Sequence, residues 1–64
     1  MKSRKWLIDA RKAANLTQEE LAERIGVSRT AYVRYESGDR RPTPKTASKL
    51  ENIIGVDKTK FFWD

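Results

Sequence analysis

Sixty-four residues suffice for one small domain, and at this size folding buries only roughly 60% of the unfolded chain's surface. With neither cysteine nor histidine, disulfide and zinc staples are excluded, so helix packing around one core must hold the chain together. Fourteen Lys and Arg against nine Asp and Glu give a net charge of +5 in a chain that is 36% charged, which favours polyanionic partners.

The start, MKSRKWLIDARK, is basic but carries no apolar run of signal-peptide length, and nowhere does the sequence approach a membrane-spanning stretch. A cytoplasmic location without membrane association is the expectation. From Arg4 to Ala14, Leu7, Ile8, Arg11 and Ala14 recur at helical spacing and give a first helix one inward face, while Lys5 and Lys12 stay wet. Asn15, which tolerates the left-handed conformation, ends it. Thr17 opens a second helix with a capping box, its hydroxyl accepting from the Glu20 amide while the Glu20 carboxylate accepts from the Thr17 amide. Leu21, Ala22 and Ile25 form the buried stripe of that helix, and Gly26 supplies the positive φ for a sharp turn. Ala22 is small enough to let the next helix approach.

Ser28 caps a third helix carrying Arg29 to Glu36, which stops at Gly38. DRRPTP is a loop. Thr43 and Pro44 then form a cap followed by a first-turn proline, opening a fourth helix from about Pro44 to Ile54 that ends at Gly55. Ala47, Leu50, Ile53 and Ile54 face inward. Asp57 caps a last short helix ending in Phe61, Phe62 and Trp63, whose aromatic area is expected to seal the bottom of the core. For Trp63 two places stay open: closing the core, which is favoured, or forming an exposed apolar patch for a partner. No strand, repeat or linker is evident, so the expected fold is all-α, one domain over residues 1–64.

Two helices joined by a tight Gly-Val-Ser turn have the form of a DNA-reading helix-turn-helix. At 100° per residue the third helix splits into two sectors. One holds Ala31, Tyr32, Tyr35 and Glu36, which makes both tyrosines core residues. The other holds Arg29, Thr30, Val33 and Arg34, a set suited to base edges: arginine forks onto guanine, and the Thr30 and Val33 methyls can pack on a thymine methyl. Between residues 29 and 49 six bases oppose only Glu36 and Asp39. From counts alone such a run is equally a solvated face; its position in the motif breaks the tie.

The chain resembles the phage-repressor and Cro-like helix-turn-helix family, often called the XRE family. The resemblance rests on Arg11, on the run Leu16, Thr17, Gln18, Glu19, Glu20, Leu21 and Ala22, and on Ile25, Gly26, Val27 and Ser28. It continues through Tyr32, Glu36, Gly38, Arg41 and Pro42 to Leu50, Gly55 and Val56. It implies a five-helix, lambda-repressor-like bundle that binds a double-stranded DNA operator as a homodimer, pairing around the fourth and fifth helices through Gly55, Val56 and the Phe61 to Trp63 end. It also implies backbone contacts from Gln18, Ser28, Arg40, Arg41 and Lys45, base reading at Arg29, Thr30 and Arg34, and a structural ion pair between Arg11 and Glu36. Where relatives often carry glutamine at the reading positions, two of three are arginine here, so guanine preference is expected. The resulting expectation is a transcriptional regulator, most simply a repressor, associated with the nucleoid when bound. The alternative is a protein-interaction module, such as an antitoxin or adaptor, on the same fold. Catalysis is not expected, because no carboxylates converge; nor is a cofactor, metal or small-molecule ligand.

Overall fold

The computed structural model describes residues 3–63, which form five helices and, among these residues, no strand. Helix α1 spans Lys5–Ala13, α2 Gln18–Ile25, α3 Arg29–Ser37, α4 Pro44–Ile54 and α5 Lys60–Trp63. Helix α2 packs chiefly on α3, with α1 against α3 and α4 against α2.

Local chemistry fixes the helix ends. The Thr17 hydroxyl accepts from the Glu20 amide at 3.0 Å and the Glu20 carboxylate accepts from the Thr17 amide at 2.9 Å, satisfying two donors that a helix start leaves without intrahelical partners. Ser28 and Thr43 cap α3 and α4 in the same way, accepting from the amides of Ala31 and Thr46. After α2, Gly26 adopts φ 75°, a left-handed conformation that a Cβ would strain, and this lets Val27 and Ser28 reverse the chain. Asn15 (φ 59°) performs the reversal after α1.

The core gathers Leu7, Leu21, Ala22, Ile25, Tyr32, Tyr35, Ala47, Leu50, Val56 and Phe61. Ile53 and Ile54 are only partly buried against it. Four expectations need correction. Ile8 is only partly buried and is not one of the side chains packed on this core, where Trp6 and Ala10 pack from α1 instead. Ala14 is not on the inward face of α1: it is the exposed residue that follows the helix. Asp57 does not sit directly before α5; its carboxylate accepts from the Thr59 amide and hydroxyl in a turn ahead of it. Trp63 does not close the core, being 83% exposed with Phe62 at 47%. Phe61 alone of the three is buried, because each residue of a helix turns a further 100°. Its ring meets Trp6 edge-on at 4.9 Å, so the aromatic seal joins the two ends of the chain.

Candidate nucleic-acid interface

Helix α3 has two faces of opposite character. Tyr32, Tyr35 and Glu36 are buried, whereas Arg29, Thr30 and Arg34 are exposed. Val33 is half-buried, intermediate between the two.

The buried face is locked by a polar cluster centred on the Glu36 carboxylate. Oε2 accepts from Arg11 Nε at 2.6 Å and from the Tyr32 hydroxyl at 2.7 Å; Oε1 accepts from Gln18 Nε2 at 2.8 Å. A buried carboxylate is costly unless its lone pairs are engaged, and here three donors from α1, α2 and α3 engage it. Arg11 further donates Nη1 to the Leu16 carbonyl at 2.8 Å, tying α1 to the chain entering α2. For Arg11, desolvation lowers the pKa, but the hydrogen bond and charge of Glu36 outweigh it and leave the guanidinium raised. For Tyr32, burial first and the Glu36 carboxylate second push the phenol far above its ordinary value.

At the exposed face Gln18 connects this cluster to surface. With Nε2 committed to Glu36, its Oε1 faces Arg29, whose Nη2 donates to it at 3.5 Å. Arg11, Thr17, Gln18, Glu19 and Arg29 line an open cleft of about 500 Å³ beside the start of α2. Ser28 is exposed, its hydroxyl engaged in capping α3. Arg40, Arg41 and Lys45 are exposed beyond the end of α3. The structure therefore brings Gln18 and Arg29 into contact, joins Arg11 to Glu36 and places the remaining basic residues on the surface after α3.

One residue escapes the sequence reading. Arg4 is 4% exposed, and its Nη1 donates to the carbonyls of Tyr35 at 2.6 Å and Arg40 at 2.8 Å. No pattern of residue types marks it: Arg4 stands just before α1, and its acceptors are main-chain carbonyls.

A five-helix bundle with a capped, glycine-turned α2–α3 pair and a basic exposed face on α3 is a helix-turn-helix domain of the DNA-binding type. The family model described as helix-turn-helix matches residues 7–61, and the chain belongs to that family, in its phage-repressor and Cro-like (XRE) branch. It is 39% identical over 56 residues to the cryptic phage CTXphi transcriptional repressor RstR of Vibrio cholerae, covering 88% of this chain and 50% of the repressor. With the HTH-type transcriptional regulator YqaF of Bacillus subtilis it shares 38% identity over 61 residues, 95% of this chain and 80% of YqaF. With the B. subtilis regulator YqaE it shares 44% over 46 residues, 72% of this chain and 40% of YqaE. The chain thus spans half of RstR, less than half of YqaE and most of YqaF. Among the described residues no helix is long and apolar enough to cross a membrane.

Proposed function

We propose that this helix-turn-helix regulator is a repressor that occupies a double-stranded DNA operator and reads it in the major groove with residues 29–36. The observation that carries the reading is the division of α3: its scaffold face is fixed by the Glu36 cluster, while Arg29, Thr30 and Arg34 project into solvent. Arg29 and Arg34 are the guanine readers, and the methyls of Thr30 and Val33 supply apolar contact to thymine. Gln18, Ser28, Arg40, Arg41 and Lys45 hold the phosphate backbone on either side. The cleft at the start of α2, lined by Arg11, Thr17, Gln18, Glu19 and Arg29, lies at the positive end of that helix, where an anion is favoured, and Arg29 is its exposed cation.

One such domain contacts few base pairs, so two copies bind half-sites about 34 Å apart. Trp63 and Phe62, exposed at the α5 end, and Gly55 after α4 supply surface for that pairing, whereas Val56 and Phe61 are buried in the core and do not. Selection of bound duplexes from a random pool tests the whole reading. The expected product is a two-fold symmetric motif with guanine in each half-site, its halves one helical turn apart. No enrichment would overturn it in favour of the protein-interaction module.

A further inference from the structure

We propose that Arg4 is a positioning residue for DNA binding, fixing the Arg40–Arg41 segment against the end of the reading helix. The inference rests on the reading of Arg40 and Arg41 as phosphate contacts, and concerns how they are held.

Arg4 and Glu36 are the charged side chains that folding buries most deeply among the described residues, each 4% exposed. Their roles differ. Glu36 collects side-chain donors, whereas the Arg4 Nη1 bridges two main-chain oxygens, one in the last turn of α3 (Tyr35, 2.6 Å) and one in the loop beyond it (Arg40, 2.8 Å). The Arg4 amide adds a third tie, donating to the Glu36 carbonyl at 2.7 Å. One nitrogen shared by two oxygens fixes the loop relative to the helix. The other main-chain bonds of that segment are local, the Asp39 and Arg40 amides both reaching the Arg34 carbonyl at 3.1 and 3.3 Å. Arg4 therefore supplies a restraint from outside the α3–loop segment. A cation there also complements the partial negative charge at a helix C-terminus.

The guanidinium is itself held in place. It lies 5.4 Å from the centre of the Phe61 ring, and Trp6 packs edge-on against that ring at 4.9 Å. The restraint thus passes from α5 and α1 through Arg4 to the Arg40 carbonyl. An exposed arginine contacts phosphate with less loss of freedom when its main chain is already fixed, which is the gain that preorganisation gives.

The test compares wild type, Arg4→Gln, Arg4→Lys, Arg40→Gln/Arg41→Gln and the triple variant carrying Arg4→Gln. Each is titrated with the selected duplex over a range of salt, with circular dichroism to confirm folding and ¹⁵N relaxation on the free protein. Folded Arg4→Gln is expected to give a log–log salt slope shallower by about one to two, at about 0.9 for each phosphate no longer neutralised, with base preference unaltered. Arg4→Lys is expected to fall between it and wild type. The Arg40 and Arg41 amides should become more mobile in Arg4→Gln, and adding Arg4→Gln to Arg40→Gln/Arg41→Gln should change the slope no further. An unchanged slope in folded Arg4→Gln, or additive effects in the triple variant, would overturn the proposal. So would loss of folding at low temperature in both Arg4 variants, which would make Arg4 purely a scaffold residue. An unchanged slope in Arg40→Gln/Arg41→Gln alone is a separate failure: it removes the loop from the interface, and the role of Arg4 with it.

Discussion

Arg11 donates its Nε to Oε2 of Glu36 at 2.6 Å across 25 positions of sequence, with the two side chains 11% and 5% exposed. A pair so placed adds little net stability over an apolar substitute, but removing one partner strands the other out of water. Glu36→Ala is expected to cost about 3 kcal/mol, a large share of the roughly 3–10 kcal/mol that a chain of this length commands. Thermal denaturation checks this. A loss below about 0.5 kcal/mol, the range of ordinary surface substitutions, would show the cluster to be ornamental.

Arg29→Ala and Arg34→Ala should each relax the guanine preference at one operator position by about 1–3 kcal/mol. Because both residues are exposed, melting should move little. Binding to single-base operator variants is the measurement; a uniform loss at all positions would reassign that arginine to phosphate.

Arg41→Ala should instead weaken binding to every duplex about equally and make the log–log salt slope shallower by about one. Titrations of matched and scrambled duplexes at several salt concentrations separate the two behaviours. An unaltered slope takes Arg41 off the contact surface.

Tyr32 sets an alkaline limit. Burial and the Glu36 carboxylate raise its folded-state pKa above the unfolded value of about 10, so above that pH the folded chain holds a proton that the unfolded chain releases. Tyr32's contribution to stability is complete below about pH 10 and declines as pH rises beyond it. Tyr32→Phe should be less stable near neutrality, having lost the bond to Glu36, yet its stability should fall less steeply above about pH 10. Denaturant unfolding from about pH 8 to 11 tests the difference in slope.

The capping box acts on the acid side. Hydrogen bonds from the Thr17 amide and then its hydroxyl lower the Glu20 pKa, so this stabilisation is present above the ordinary carboxylate pKa and is lost as pH falls through the folded value. Thr17→Ala should cost about 1 kcal/mol at neutral pH and return the Glu20 pKa toward its ordinary value. Carboxyl-carbon NMR titration reads the second effect directly. A Glu20 pKa unmoved by the substitution would mean that the Thr17 hydroxyl does not contribute to it.

The helix ends are legible in the sequence because their causes lie within three or four residues: Thr17 with Glu20, Ser28 before Ala31, Thr43 before Pro44, and the reversals at Asn15 and Gly26. The phase of α3 is legible from its 100° periodicity, which places Tyr32, Tyr35 and Glu36 inside and Arg29, Thr30 and Arg34 outside. Arg4 is not. Its acceptors are carbonyls 31 and 36 residues away, and a carbonyl leaves no mark on the identity of the residue that carries it. The place of Trp63 is hidden for a related reason: apolar area says that a side chain favours burial, but a four-residue helix has room to bury only one flank. The flank that faces the core is the one whose Phe61 ring meets Trp6, near the other end of the chain. The family resemblance implies a backbone contact for Gln18, but its bond to the Glu36 carboxylate is not legible in the sequence, since it depends on α2 and α3 meeting.

The two faces of α3 carry an evolutionary consequence. Arg29, Thr30 and Arg34 are exposed and Tyr32, Tyr35 and Glu36 are not, so the lettering of the outer face can be rewritten while the hidden face keeps the domain folded. On the proposed reading of α3, a lineage built on this scaffold drifts from one target sequence to another by steps that selection on folding scarcely notices. Val33, half-buried between the faces, is where such drift meets resistance.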